Sequence, residues 1–242
     1  MAARIVIASG KGGVGKSSVT AGLACALQNA GHNVLVVDCD IGLRSLDIIL
    51  GAGADMLFTW GDIITGRCSC DDALTRTNCG CSLICAPSEC EDSFTPEAMR
   101  SMADEFEERF DYILFDSPAG IGNGFKLAAA AANSAIVVAT PDSVCVRSGA
   151  VAADKLGAMG IKNSRLVINR FDKKATIKGK RLNIDDVIDS TCLRLIGVVP
   201  QDNVLSFNMT CGRLLPKRSA SAAAFSRIAS RLDGRRVPLE ID

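Results

Sequence analysis

The sequence GKGGVGKSS, at residues 10–18, constrains the fold more than any other part of the chain. It matches the phosphate-binding pattern G-x-x-x-x-G-K-[ST], which works where it joins a β-strand to a helix. There, backbone N–H groups and the positive end of the helix surround an anion. Residues 5–8 are apolar and β-branched, and Val19, Leu23 and Leu27 recur at helical spacing. The segment therefore predicts a phosphate-binding loop between a strand and a helix.

The same loop also contains G-x-G-x-x-G, and an acid, Asp38, follows at the end of the next apolar run. That combination is typical of dinucleotide binding, which is the alternative. It has no use for Lys16 and Ser17, and it does not predict Asp116, which ends the later apolar run YILFD. A nucleoside triphosphate site uses all three, because Lys16 would reach the β and γ phosphates while Ser17 and Asp116 would hold Mg²⁺ and its water. The sequence favours the triphosphate.

The rest of the chain alternates short apolar runs with longer helical patterns. The strand candidates are residues 5–8, 34–38, 83–86, 112–116, 135–140, 166–169 and 195–199. Continuously apolar runs are typical of parallel strands that helices cover on both faces. We therefore expect an α/β chain with a single-domain P-loop NTPase fold, a mostly parallel central sheet and helices on both faces. This domain would span residues 1–234, followed by a short tail at residues 235–242 without an evident membrane-targeting helix.

Two helical patterns carry further expectations. Thr95, Pro96 and Glu97 predict a capped helix start, and a buried stripe would follow at Met99, Met102, Ala103, Phe106 and Phe110. Near the end of the chain, an apolar stripe lies beside two arginines, at Phe225, Ile228, Ala229 and Leu232. We interpret this last helix as a core-packing element rather than a membrane anchor.

Composition narrows the function. The chain has 242 residues, with 27 basic and 27 acidic side chains, so no overall charge attracts it to nucleic acid. The most apolar later run, residues 127–132, is far shorter than the ~20 residues needed to cross a bilayer. We expect a cytoplasmic protein whose overall charge does not favour binding to nucleic acid. Its eleven cysteines then predict reduced thiols rather than disulfides.

The segment KGGVGKSS resembles the deviant Walker A motif of the ATPase family that includes MinD, ParA and the nitrogenase iron protein. The segments VLVVDCDIGLRSLD, DSPAGIGNG and GDIITGRCSCDDAL resemble the MinD-type members. In this family the additional lysine, which matches Lys11, projects to the nucleotide of a partner subunit. The resemblance therefore implies ATP and Mg²⁺ as cofactors and a homodimer in the ATP-bound state.

Residue roles follow from the same resemblance. Lys11, Lys16 and Asp40 would be catalytic, with Asp40 orienting the attacking water. Ser17, Asp38 and Asp116 would hold the metal. The nucleotide-binding residues would be Gly10, Lys11, Gly12, Gly13, Val14, Gly15, Lys16, Ser17 and Ser18 in the loop, and Asn169, Arg170, Pro200 and Asp202 on the adenine side. One departure is Gly122-Asn123, where the family usually carries an acid after the second aspartate.

The resemblance also implies a function. ATP-dependent dimerisation would control partner recruitment in division-site placement, with a MinC-like inhibitor and a MinE- or DivIVA-linked regulator as partners. Two alternatives stay open, a ParA-type partitioning ATPase and a metal-cluster carrier. The second rests on six cysteines, among them the pairs Cys68/Cys70 and Cys79/Cys81. Peripheral membrane association also stays open. The cationic segment at residues 170–181, which we expect to form one loop, could contact a membrane, bind DNA or simply be solvated.

Overall fold

The computed structural model describes residues 1–53, 57–216 and 218–241. Within these residues, eight strands form one sheet in the order β3-β4-β2-β5-β1-β6-β7-β8. All neighbouring strands are parallel except β3 and β4, which are antiparallel. The strands are β1 (Ala3–Ala8), β2 (Val34–Asp38), β3 (Thr75–Arg76), β4 (Ser82–Ile84), β5 (Tyr112–Asp116), β6 (Ser134–Ala139), β7 (Ser164–Phe171) and β8 (Arg194–Pro200).

Helices cover both faces of this sheet. They are α1 (Lys16–Asn29), α2 (Leu46–Leu50), α3 (Trp60–Ile64), α4 (Pro96–Asp104), α5 (Asn123–Ala130), α6 (Ser143–Ala158), α7 (Lys173–Ile177), α8 (Ile184–Thr191), α9 (Asn203–Thr210) and α10 (Ala220–Leu232). The expected single-domain α/β fold with a mostly parallel sheet is confirmed.

The inner strands of the sheet contribute to hydrophobic cores on both of its faces, because successive side chains of a strand point to opposite faces. In β1, Ile5 and Ile7 belong to the core beneath α1 and α10, whereas Val6 and Ala8 belong to the core beneath α4 and α5. This two-sided burial explains why the strands are continuously apolar in sequence. The parallel pairing of the strands brings the carboxyl ends of β1, β2, β5 and β7 to one edge of the sheet.

Two local expectations needed correction. Helix α4 begins as predicted, with Ala98 N–H donating to Thr95 Oγ1 at 3.1 Å, but it ends at Asp104. Beyond it, Phe106 is fully buried although its backbone has left the helix. The cationic segment expected as a loop contains α7, which Asp172 caps by accepting from the Ala175 N–H at 3.0 Å.

The final helix packs on the core, as predicted. Phe225, Ile228 and Ala229 of α10 are buried against α1 and β8. Arg231 extends from the same helix, and its guanidinium donates to the Ile196 carbonyl oxygen at 2.8 Å. It also donates to the Pro238 carbonyl oxygen at 2.8 Å, which attaches residues 235–241 to the domain. Among the described residues, every helix is too short or too polar to span a bilayer.

Candidate functional site

The loop between β1 and α1 is shaped by its glycines. Gly13 and Gly15 have φ of +80° and +85°, in the left-handed region that favours glycine. Gly10 lies so close to α6 that a Cβ there would be 1.9 Å from the Ser148 backbone oxygen. The loop therefore curves tightly and presents its backbone to a cavity of about 320 Å³, lined by Lys11, Gly12, Gly13, Val14, Gly15, Lys16, Ser17, Ser18, Asp40 and Arg170 among others.

Asp116 connects the end of β5 to the first turn of α1. Its carboxylate accepts hydrogen bonds from Ser17 Oγ at 2.6 Å and from Thr20 Oγ1 at 2.8 Å. The Lys16 ammonium lies 3.3 Å from the same carboxylate, and both side chains are buried. A buried lysine at the start of a helix is held where it can meet a phosphate, since the charge of its partner offsets its loss of hydration.

Asp38 ends β2 directly beside Asp116, because the two aspartates are register partners in the parallel pair β2–β5. Its carboxylate accepts from Asp40 N–H at 2.9 Å, and Trp60 Nε1 donates to its carbonyl oxygen at 2.8 Å. Burial, together with the charge of Asp116, raises the pKa of Asp38 to about 6. Two buried carboxylates and the Ser17 hydroxyl form an all-oxygen donor set, which fits Mg²⁺.

Asp40 and Lys11 lie at the opening of the same cavity. Asp40 is partly buried, and this burial raises the pKa of its carboxyl, against the opposing effect of Lys16. Lys11 is exposed. Within the part of the chain that the structure describes, its ammonium forms no ion pair. The two lysines of the loop therefore differ, one being buried beside Asp116 and the other exposed, where its charge adds to the hydrogen bonds that lower the pKa of Asp142, without an ion pair between them.

Asn169, near the end of β7, contacts the backbone of the phosphate loop at Val14. It is 2% exposed, and its Nδ2 donates to the Val14 carbonyl oxygen at 2.8 Å. Its Oδ1 has no hydrogen-bond partner among the described residues. A buried acceptor without a partner is costly, so this oxygen is available for an N–H group of a ligand. Its neighbour Arg170 has φ of +54° and lines the cavity.

Pro200 and Asp202 are not among the residues that line this cavity. Pro200 ends β8 as the register partner of Phe171, close to Arg170. The Asp202 carboxylate is used as a helix cap, because it accepts from Val204 N–H at 2.8 Å and from Ser221 N–H at 3.4 Å. The structure thus brings the two predicted adenine-side elements next to each other, but it commits the Asp202 side chain to α9 and α10.

Two residues of the site were missed in the sequence. Thr20 lies one helical turn after Lys16, and this i, i+4 spacing on the loop's own helix was the available signal. Trp60 stands outside every motif of the sequence. It is fully buried, but its indole N–H also fixes the end of β2, where Asp38 stands. No local pattern in the sequence connects residues 60 and 38.

The two C-x-C pairs do not converge as a metal-cluster site built on both would require. Cys68 and Cys70 pack against the core beneath α4 and α5, whereas Cys79 and Cys81 belong to the core beneath α1 and α10. The sheet therefore separates the two C-x-C pairs. Among the described residues, no group of three or more His, Cys, Asp or Glu side chains could hold a metal ion. This arrangement gives the metal-cluster alternative no support.

A glycine loop between β1 and α1, a buried lysine on a helix start and two aspartates at neighbouring strand ends define a P-loop NTPase. Residues 5–213 match the CobQ/CobB/MinD/ParA nucleotide binding domain. The septum site-determining protein MinD of Synechocystis sp. is 35% identical over 240 residues, which cover 97% of this chain and 90% of the relative.

Solved structures agree with this match. A chain of the MinC:MinD cell division protein complex of Aquifex aeolicus has a TM-score of 0.91 and 33% identity, with 99% of each chain covered. The MinD protein of Pyrococcus horikoshii, solved with Mg-ADP, has a TM-score of 0.84 and 26% identity, with 96% of each chain covered. This chain belongs to the MinD/ParA family and, within it, to the MinD proteins. It is a P-loop ATPase with ATP and Mg²⁺ as its cofactors, and the predicted family is confirmed.

Proposed function

We propose that this chain hydrolyses ATP to ADP and phosphate as a switch for division-site placement, pairing with a second copy of itself when ATP is bound. The observation that carries the proposal is the contrast between the two loop lysines. Lys16 is buried with Asp116, so it serves the chain's own nucleotide, whereas Lys11 is exposed at the cavity opening. In a two-fold dimer, an exposed cation at this place can neutralise the phosphate of the partner's nucleotide.

The reaction is the in-line attack of water on the γ-phosphate, which breaks the bond to the ADP oxygen. In our proposal Asp40 orients the attacking water, and Lys16 and the partner's copy of Lys11 neutralise the charge that develops on the phosphate oxygens. Ser17, Asp38 and Asp116 would hold Mg²⁺. When bound, Mg²⁺ adds positive charge beside the β and γ phosphates.

On the adenine side, the support is the unpartnered Oδ1 of Asn169, which can accept a hydrogen bond from the exocyclic amino group of adenine. Arg170 lies beside it, and we assign Pro200 and Asp202 to the same side through their backbone. Together with Gly10 and the other loop residues, they complete the nucleotide site. The ATPase domain in this proposal spans residues 1–234, and residues 235–242 form the tail.

The partner side of the proposal rests on relatives. The Aquifex aeolicus structure is a complex of MinC with MinD, so we propose a MinC-like inhibitor as the recruited partner. We also propose a MinE- or DivIVA-linked regulator as a second partner. The chain would act in the cytoplasm. We also include peripheral contact with the inner face of the cell membrane. It is supported by the exposed Lys173, Lys174, Lys178 and Lys180, which surround the exposed apolar side chain of Ile177.

Lys11→Ala should abolish ATP-dependent dimerisation while leaving nucleotide binding intact. Size-exclusion chromatography with light scattering measures this directly. We expect the unaltered chain to run as a dimer with a non-hydrolysable ATP analogue and as a monomer with ADP, and the variant to stay monomeric with both. Lys126→Ala is the matched control, since Lys126 is an exposed lysine of α5. A variant that dimerises as well as the control would remove Lys11 from the interface.

Asp40→Ala should slow single-turnover hydrolysis by roughly 100-fold or more, because positioning and polarising a nucleophile contributes about that much. The measurement uses enzyme in excess over radiolabelled ATP, with ATP affinity determined separately. Asp154→Ala, which removes an exposed carboxylate of α6, serves as the control. Equal single-turnover rates for Asp40→Ala and the unaltered chain would contradict the role given to Asp40.

A further inference from the structure

Three thiols from two elements meet beside α1, on the face of the sheet that α10 covers. Cys25 belongs to α1, and Cys79 and Cys81 lie in the turn between β3 and β4. The Cys79 and Cys81 sulfur atoms are 3.3 Å apart. Gly80, with φ of +88°, allows the tight turn between them, and Thr77 N–H closes it by donating to the Cys81 carbonyl oxygen at 3.1 Å.

The hydrogen bonds of this cluster converge on Cys79. The neighbouring thiols of Cys25 and then Cys81 lower the pKa of Cys79, against its burial, which raises it. The same contacts, with burial, raise the pKa of Cys25 and of Cys81. The Thr77 hydroxyl is 3.4 Å from the Cys79 sulfur and is a further potential donor. Because a thiolate accepts hydrogen bonds better than a thiol, this arrangement favours a negative charge on Cys79 over one on Cys25 or Cys81.

Few other charges face this sulfur. The Arg76 guanidinium lies on the same turn, 3.9 Å from where a Cβ on Gly80 would stand. The side chains that approach from α10 and the segment before it, among them Leu214, Leu215 and Phe225, are uncharged. The thiols of Cys25 and Cys81, with the Thr77 hydroxyl and the Cys81 backbone N–H, are therefore the groups that favour the anion.

A cavity of about 370 Å³ reaches the cluster from the surface and is lined by Cys25, Cys79, Leu215 and Phe225 among others. Cys25 and Cys79 are partly exposed, whereas Cys81 is buried. Small reagents can therefore contact the Cys79 sulfur, while Cys81 lies behind it. This cavity is distinct from the one that the phosphate loop lines.

We propose that Cys79 is a modification site for soft electrophiles, peroxide-class oxidants in particular, and that Cys81 resolves its oxidised form. The Cys79 thiolate attacks one oxygen of hydrogen peroxide, forms a sulfenic acid and releases hydroxide. The Cys81 sulfur then attacks the Cys79 sulfur, a disulfide forms, and water leaves with the Cys81 proton. The electrons that reduce the peroxide come from the two thiols.

The pH dependence of alkylation tests the thiolate directly. The intact chain is treated with iodoacetamide at several pH values, and mass spectrometry measures the rate at each cysteine. We expect the Cys79 rate to change less than about twofold between pH 6 and pH 8. The reaction of free cysteine, run in parallel as the reference thiol, should instead become roughly 100-fold faster, since an ordinary thiol has a pKa near 8.5. A Cys79 rate that rises with pH as steeply as that of free cysteine would overturn the proposal.

Variants at Cys25 test the role of the donors. Cys25→Ala removes one donor and should restore a pH-dependent Cys79 rate, whereas Cys25→Ser keeps a hydroxyl donor and should restore it only in part. Cys211→Ser is the control. After peroxide treatment we expect a Cys79–Cys81 disulfide in the unaltered chain, and in folded Cys81→Ser a sulfenic acid at Cys79 that dimedone traps. Identical profiles for the two Cys25 variants and the control, or peroxide oxidation confined to the exposed cysteines, would refute the assignment.

Discussion

Replacing Lys16 with alanine should lower ATP turnover by roughly 1,000-fold, the largest catalytic effect expected from one side chain here. Lys16 is the buried cation of the loop, and its ammonium stands 3.3 Å from the Asp116 carboxylate at the start of α1. Because this ammonium is buried, a cation from solvent would have to lose its hydration to take the place of Lys16 beside the phosphate. Steady-state release of phosphate measures turnover, and a filter-binding assay with labelled ATP measures affinity.

The substitution also leaves Asp116 buried without its cation, so stability must be followed alongside activity. Lys155→Ala removes an exposed lysine of α6 and serves as the control for charge. Thermal unfolding then shows whether Lys16→Ala is folded at the assay temperature. A folded Lys16→Ala chain that retains more than about a tenth of the parent turnover would contradict the assigned role, since one such contact accounts for at least 100-fold.

The sequence predicted the sheet well because two-sided burial leaves a strong signal. The runs at residues 34–38 and 112–116 have the bounds of β2 and β5. Strand β3 was missed, because it has only two residues, Thr75 and Arg76, and pairs along one edge. The end of α4 was misjudged because apolar spacing indicates which side chains are buried, and not whether the backbone is still helical. Phe106 stays buried while its N–H bonds to the Ala103 carbonyl oxygen, three residues back, in a turn beyond the helix.

At the site, the sequence located what lies at strand ends and in the loop. It could place Asp38 and Asp116 together, because both end parallel strands and such ends share one edge of a sheet. It did not show the helix cap that occupies the Asp202 carboxylate, although an aspartate directly before a helix is a local signal of a helix start. It could not show the unpartnered oxygen of Asn169, because Asn169 is held by a contact with Val14 of the loop, far away in the chain.

The cysteines show the same limit of sequence analysis. The two C-x-C pairs have the same spacing and look equivalent in the sequence, but the sheet places them in different cores. Only Cys79 and Cys81 gain a third thiol, from Cys25 of α1. The pairing that matters is therefore between the phosphate-loop helix and a turn more than fifty residues later in sequence.

Gly10→Ala should destabilise the chain by about 3 kcal/mol, the upper part of the range for overpacking. The added Cβ would stand 1.9 Å from the Ser148 backbone oxygen and 2.3 Å from its carbonyl carbon. A flexible side chain could rotate away, but this obstacle is the backbone of α6, so loop and helix must separate. Urea unfolding measures the loss as a lower midpoint with an unchanged denaturant slope.

Gly157→Ala is the matched control, because Gly157 belongs to the same helix α6 and a Cβ there would meet nothing within 4 Å. Glycine in a helix costs roughly 0.5–1 kcal/mol relative to alanine, so this variant should be more stable than the parent. The same substitution is thus expected to lower the stability of the chain at Gly10, which contacts α6, and to raise it at Gly157, which belongs to α6. Equal midpoints for the two variants would mean that the loop is not wedged against this helix. The shape of the phosphate cavity would then need another cause.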